Sequence, residues 1–509
     1  GTSLFASPAM DMRVFVPQFN AVPYALGISV FPQQTLFPQL TVAFWTVIAV
    51  LLVFGYVKWR WNDLTALAAV MMTLFNDHMF YSGANNCCII NSALAALLFA
   101  AAYNFWEARE NPSSFRFALA LVFLTQVLAN KYQMAYTLIM LLTAGCFIQR
   151  DLKASVQNIF RRRSFWIVLA GAAAIGALWP LKNFLATGCP SFPMFAGEMG
   201  VLNWTPVKAE ILHKFYFGPL PLSMIAKYFS FMFFWPGIHA AKIVSWSLLL
   251  LPLAVVAGAA ARREWDKEKF SQVCWWLLIA QITVIGLCLV SFLDPRHYRY
   301  GIAVTAVAAV AAVDFFLHQS LAVPVKWGRW AVLLIAVPGW SIILHQGGDF
   351  KRPFIRDNIA VLQNKLHMEQ IAGYYFPETA VAFKEIKANA AKVMTGAWDT
   401  ELGGISGLSA FLLPTRPQVG LWFTTAVKWE SYRDPNRVAA DLQTAGIQWV
   451  ISVKDGHLFF ETPQEYGARA VKYDFLPKKL FFNYEFPEEL TDVRYKKSTI
   501  LKAFNLKEQ

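Results

Sequence analysis

Between residues 39 and 345 the chain returns repeatedly to apolar runs close to the ~20 residues that an upright helix needs to cross a hydrocarbon core. They fall at 39–57, 63–80, 88–105, 116–130, 132–148, 165–182, 242–261, 273–293, 299–317 and 328–345. No single soluble core absorbs that many apolar segments. In a bilayer each can satisfy its own backbone polar groups as a helix, so the expected class is a polytopic α-helical membrane protein with about ten spans. The charged fraction agrees: 15% of residues, where an average soluble chain has about 25%.

The formal charge of +13 is read as topology rather than as nucleic-acid binding, because no RNA-binding motif or sustained basic helix accompanies it. Short loops rich in Lys and Arg face the cytoplasm. The strongest such signal is 149–163, with Arg150, Lys153, Arg161, Arg162 and Arg163. Counting spans outward from it places Lys58/Arg60, Arg109/Arg116, Arg262/Arg263/Lys267/Lys269 and Lys326/Arg329 on the same side without skipping a segment. Residues 1–38, the long 183–241 loop, the Asp294–Arg299 turn and 346–509 then lie outside the cytoplasm. The absence of a starting Met adds the expectation of an upstream helix.

Residues 346–509 change character: charges are distributed and no spanning run occurs. Glu378–Ala391 has helical spacing before the strand-like Lys392–Thr395. Arg437–Ala445 repeats the pattern before Ile447–Val453, with Gly446 as the helix stop. Alternation of helix and strand predicts a small extracytoplasmic α/β domain. No Gly-rich phosphate loop precedes either helix, which argues against nucleotide binding there.

The apolar run from Phe165 closes in Trp179-Pro180-Leu181-Lys182-Asn183, followed by Thr187-Gly188-Cys189-Pro190-Ser191-Phe192-Pro193. A helix that ends in Trp, Lys and a Gly/Pro turn is leaving a bilayer at its interface. Lys131 interrupts the apolar stretch from Phe117 to Phe147 and falls on the same outer side as Lys182. Ionisable groups at such positions either snorkel or serve a site.

Two further constellations can carry chemistry. Asp11, the only carboxylate before Asp63, could accept a proton as a general base; the residues alone favour a cap on a short helix or a pair with Arg13. Asp294-Pro295-Arg296-His297-Tyr298-Arg299-Tyr300 packs two Arg and a His into an outer turn. Guanidinium forks suit phosphate, and interfacial anchoring is the competing reading. Asp77 and His78 are adjacent near an outer helix end, but two neighbouring ligand types do not make a metal site. The six Cys show no metal spacing.

On these residues the chain resembles bacterial GT-C superfamily glycosyltransferases, the membrane enzymes related to protein O-mannosyltransferases and lipid A aminoarabinose transferases. Trp179 to Asn183 with Thr187 to Pro193 is similar to the family's tryptophan, basic residue, Asn and Gly-Asn-Pro-x-x-Pro pattern, with Cys189 where the family has Asn. Arg299-Tyr300 resembles its late outer Arg-Tyr. Asp11, followed by Met12 and Arg13, departs from the family's acidic pair or Asp-Tyr.

The resemblance implies transfer of a sugar from a polyprenyl-phosphate carrier to an acceptor on the extracytoplasmic face of a bacterial inner membrane. Asp11 would be the base. Arg296, Arg299, Lys131 and Lys182 would bind the lipid phosphate, with His297 and Asn183 as further site candidates. The implied partners are membrane lipids, the lipid-linked sugar, an acceptor and neighbouring membrane proteins, with no nucleic acid. No resident cofactor follows from the residues, and a divalent metal is used by some relatives. The alternative is a catalytically silent subunit of this architecture that scaffolds a larger membrane complex.

Overall fold

The computed structural model describes residues 36–74, 91–110, 114–130, 160–191, 266–290, 300–320, 323–324, 327–333, 393–395, 418–420, 434–454 and 457–472, with isolated positions between them. The helices of the apolar region are α1 (Leu36–Arg60), α2 (Asp63–Leu74), α3 (Asn91–Glu110), α4 (Ser114–Leu128), α5 (Arg163–Thr187), α6 (Lys267–Val290) and α7 (Ile302–Phe315), the last continued by a π-helical turn at Phe316–Ser320. Residues 327–333 are also helical. The segments expected at 132–148 and 242–261, and the helix at Glu378–Ala391, lie outside the described residues.

α1 and α2 are joined by Trp61-Asn62 alone. Asn62 starts α2 as its cap, its side-chain oxygen accepting the Thr65 N–H at 3.0 Å, a bond that satisfies one of the orphan donors of a first turn. α3, rich in Ala and Leu, and α7, rich in Ala and Val, are buried nearly all round, as expected of helices that are apolar on most faces. Small side chains let neighbouring backbones approach closely. Accordingly α7 packs on α6, α2, α3 and α1, while α3 packs on α1 and α4, and α4 packs on α5.

Side-chain pairs give the helix directions. Thr46 meets Ser92 at 2.8 Å and Arg60 meets Glu107 at 2.8 Å, so α1 and α3 are parallel. Tyr56 accepts from Gln272 Nε2 at 2.8 Å and from Trp276 Nε1 at 2.7 Å, while Glu268 faces Arg60, so α6 runs against α1. α4 runs against α3, with Arg116 reaching Asn104 at 3.3 Å. α4 and α5 are parallel: Phe117 meets Phe165 at one end, and Thr125 faces Gly176 further along. The ends of α1, α3 and α7 therefore gather with the starts of α2, α4, α5 and α6.

Among the described residues two helices, Ala43–Arg60 within α1 and Arg163–Thr187, are long and apolar enough to cross a membrane. Only 22% and 11% of those windows are buried, unlike the core helix of a soluble protein. In α1 the exposed Leu40, Phe44, Val47 and Leu51 form one stripe at helical spacing, and the buried Ala49, Val53, Tyr56 and Val57 form the opposite one.

α5 differs from its expected limit. It does not stop at residue 182 but continues through Pro180 to Thr187. Pro180 cannot donate to the carbonyl four residues earlier, yet the helix ends only where Gly188, at φ 77°, supplies a left-handed cap and donates its N–H to the Phe184 carbonyl.

Nearer the C-terminus, strands β1 (Val393–Thr395), β2 (Gln418–Gly420), β3 (Trp449–Lys454) and β4 (His457–Glu461) form one sheet in the order β2-β1-β3-β4. β1 is parallel to β2 and β3, and β4 is antiparallel to β3, with Lys454 opposite His457. Asp455-Gly456 separates these two strands, a dipeptide favoured in two-residue hairpin connections. Helix α8 (Pro435–Thr444) precedes β3, and α9 (Pro463–Lys472) follows β4 and packs on α8 and on both strands.

Gly446, at φ 71°, does stop α8. Its N–H donates to Gln443 O at 2.8 Å and that of Ile447 to Leu442 O at 2.9 Å, while Leu442 and Ile447 are both buried. This is the paired bonding and apolar contact of a Schellman cap.

Candidate functional site

The Lys182–Asn183 pair sits in the last turns of α5. Its apolar neighbours Leu178, Leu181, Phe184 and Leu185 are exposed, whereas Lys182 is 8% exposed and Asn183 0%. This inverts the usual order of a soluble helix, and the polar side of α5 is the side turned into the protein. Lys182 Nζ lies 4.3 Å from the centre of the Trp179 ring, a cation–π contact that gains strength where water is excluded.

The backbone then reverses around hydrogen bonds. Asn183 Nδ2 donates to Pro190 O at 3.4 Å, and Thr187 Oγ1 donates to Asn183 O at 2.8 Å while accepting the Cys189 N–H at 3.1 Å. Cys189 Sγ and Ser191 Oγ are 3.6 Å apart. The Trp, Lys, Asn and Cys-Pro-Ser elements of the sequence motif are thus gathered by a helix end and its cap. The other predicted site residues, Asp11, Asp77, His78, Lys131, Arg296, His297 and Arg299, lie outside the described residues.

Sequence reasoning missed two polar clusters at the opposite end of the bundle. Arg60, which closes α1, places Nη2 2.8 Å from Glu107 and 3.8 Å from Glu110, and Nη1 3.7 Å from Glu268. One guanidinium thus joins the ends of α1 and α3 to the start of α6. Burial pushes the Glu110 carboxyl up, with Arg60 opposing the shift and Glu268 and Glu107 reinforcing it. The legible signal was Glu107 and Glu110 three residues apart, on one face of α3.

The second cluster surrounds Asp314 in α7. Its Oδ1 accepts from Thr65 Oγ1 at 3.2 Å and faces His318 Nε2 at 3.6 Å. Asn62 Nδ2 donates to the same Thr65 hydroxyl at 2.8 Å. His318 Nδ1 is 3.3 Å from Val323 O, a carbonyl that can accept a hydrogen bond from it in the Nδ1–H tautomer. The π-helical turn turns His318 back toward α7. A carboxylate in a run of Ala and Val was the sequence signal here. Among the described residues no group of three or more His, Cys, Asp or Glu could hold a metal ion.

In comparisons with protein-family models, curated proteins and solved structures, nothing matches this chain. Function is therefore argued from these sites. The chemistry differs between them: the Arg60 and Asp314 clusters pair their charges internally and join helices, as structural networks do, while the Lys182 end presents a buried ammonium beside an aromatic face.

Proposed function

We propose that this chain is a multi-pass membrane glycosyltransferase that moves a sugar from a polyprenyl-phosphate carrier to an acceptor on the extracytoplasmic side. The observation that carries the proposal is the burial of Lys182 at the end of an otherwise apolar, outward-exposed helix. An ionisable side chain turned inward at the end of an apolar helix sits where such groups in membrane proteins usually serve a site. A phosphate on a lipid entering along the helix is an anion of the right chemistry.

The helix directions favour the multi-pass part. The basic ends of α1 and α3 and the basic starts of α5 and α6 gather at one end, which is the arrangement a count of cytoplasmic loops requires. Lys182 then belongs to the opposite face. The four-stranded sheet with α8 and α9 would form the extracytoplasmic domain that guides the acceptor.

In this mechanism Lys182, Lys131, Arg296 and Arg299 hold the carrier phosphate and stabilise the charge that develops on it as the sugar departs. His297 and Asn183 would be further contacts for the carrier. Asp11 deprotonates the acceptor, and a single displacement inverts the anomeric carbon.

Lipid mass spectrometry on protein purified in mild detergent tests this, comparing the wild type with Lys182→Gln and with Arg296→Ala/Arg299→Ala. A polyprenyl phosphate species that co-purifies with the wild type and is lost from both variants is the expected result. Wild-type protein that carries no such lipid but brings stoichiometric membrane partners would replace the transferase reading with that of a silent scaffolding subunit.

A further inference from the structure

At the basic end of the bundle Arg161, Arg162 and Arg163 are consecutive and all exposed, immediately where α5 begins. Phe160, Trp166 and Ile167 beside them are exposed too. The aromatic pair is held in place: Trp166 Nε1 donates to the Phe160 carbonyl at 2.8 Å, and the two rings lie 5.6 Å apart. Both rest on the buried Phe165, at 5.0 and 5.5 Å, which itself packs 6.2 Å from Phe117 of α4. Three cations and a fixed aromatic clip thus stand at the edge from which an exposed apolar helix departs.

Among the described residues no carboxylate neutralises the three charges. The first turn of α5 contains no acidic residue, and among the described residues the carboxylates in ion pairs belong to Lys58, Arg60, His318 and Arg437. The Arg60 cluster a few helices away is internally paired; the Arg161–Arg163 step is a surface charge that asks for an external anion.

We infer that Arg161, Arg162 and Arg163, with Phe160 and Trp166, form a docking surface for the headgroups of anionic phospholipids. The inference rests on the membrane-spanning part of the reading above and not on sugar transfer. Charge complementarity selects the anion, and a guanidinium can grip a phosphodiester through two hydrogen bonds. The apolar face of α5 selects lipid over an acidic protein or a nucleic acid. Ile167, Leu178, Leu181 and Leu185 continue from the Arg step as exposed hydrocarbon, which acyl chains cover and a soluble polyanion leaves wet. Aromatic rings at the junction are where headgroup-level side chains of this type reside.

The test uses the full chain in mild detergent, titrated with phosphatidylglycerol or with phosphatidylcholine of the same acyl chains and read by native mass spectrometry. The wild type is compared with R161Q/R162Q/R163Q and R161K/R162K/R163K. Each basic residue near an anionic surface contributes about fivefold in affinity. The Gln triple is therefore expected to weaken phosphatidylglycerol binding on the order of a hundredfold, with phosphatidylcholine unchanged and the Lys triple retaining most of the preference. A photoactivatable phosphatidylglycerol on the wild type, expected to label 160–167, decides the matter if the Gln triple fails to fold. Equal binding of the two lipids, a Gln triple with wild-type selectivity, or labels confined to other segments would each overturn the inference alone. Failure to retain either lipid would overturn it together with the membrane reading of α5.

Discussion

Removing Arg60 is expected to harm the fold more than removing the carboxylate it touches most closely. The asymmetry follows from the neighbours each partner would leave behind. Arg60 has Glu107, Glu110 and Glu268 around it, at 2.8, 3.8 and 3.7 Å. Glu107, whose side chain is 7% exposed, has only Arg60 as its ion-pair partner among the described residues.

Arg60→Met strands a buried carboxylate in a setting that holds Glu110 as well. Breaking a buried pair in this way costs about 3–5 kcal/mol. Glu107→Met leaves a guanidinium, 16% exposed, with two remaining carboxylates; its cost is nearer 1–3 kcal/mol, the desolvation of one displaced hydrogen bond. In the double variant neither buried charge remains unmatched. Its total should therefore fall below the sum of the singles by about 2–3 kcal/mol, within the range measured for residues in direct contact.

Denaturant unfolding in mixed micelles, followed by tryptophan fluorescence, measures all four corners of the cycle. Equal losses for the two single variants, or additive losses to within about 0.5 kcal/mol, would refute the claim that this guanidinium is the shared centre of the three helix ends.

Other outcomes follow from the same physical rules. A Cβ at Gly467 would come within 2.5 Å of the Pro435 carbonyl oxygen, a backbone atom that cannot swing aside. Gly467→Ala should push α9 off α8 and cost about 1–3 kcal/mol, visible as a lowered melting temperature. At the start of α9, Thr462 N–H and Oγ1 both donate to Glu465 Oε2, at 2.7 and 2.9 Å, and Glu465 N–H donates to Thr462 Oγ1 at 3.3 Å, a capping box with Pro463 at the first helical position. Thr462→Ala is expected to cost about 1 kcal/mol by thermal melts.

The Thr462 N–H and hydroxyl hold the Glu465 carboxyl below its usual value of 4.5. The depressed group stabilises the folded state at pH above that value, and the contribution disappears as pH falls through the lower folded-state value; a wild-type stability profile that matches Glu465→Gln across this window would remove the capping role. Asp314→Asn keeps an acceptor for Thr65 but removes the charge facing His318, so it should cost less than Asp314→Leu, and the reverse order in melting temperature would count against the network.

Much of the framework was readable from single residues and their periodicity. The apolar runs mark α1 to α7, because a helix that buries most of its faces or exposes an apolar one must be apolar over its own length whatever it packs against. The helix and strand before and after Gly446 were legible for an equally local reason, since only the αL position of a C-cap makes Gly the favoured residue there. β2 and β4 were not, because each draws its strand character from a pairing partner, β2 from β1 and β4 from β3. The end of α5 falls at 182 in the sequence because Trp179, Lys182 and Asn183 read as the close of an apolar run, whereas the helix continues until Gly188 supplies its left-handed cap.

The candidate site divides along the same line. Trp179, Lys182 and Asn183 stand out in the sequence as polar and aromatic residues closing an apolar run, a property of neighbours within one helix turn. That Lys182 and Asn183 face inward while Leu181 and Phe184 face outward depends on which side of α5 meets α4, and no local pattern states it. The sequence by itself determined that the chain carries apolar helices with their positive charge concentrated in certain connections. Only the tertiary structure decided that Arg60 meets carboxylates from two other helices and that Asp314 meets Thr65, 249 residues away, because a buried charge is settled by whichever partner the packing delivers, not by its neighbours in the chain.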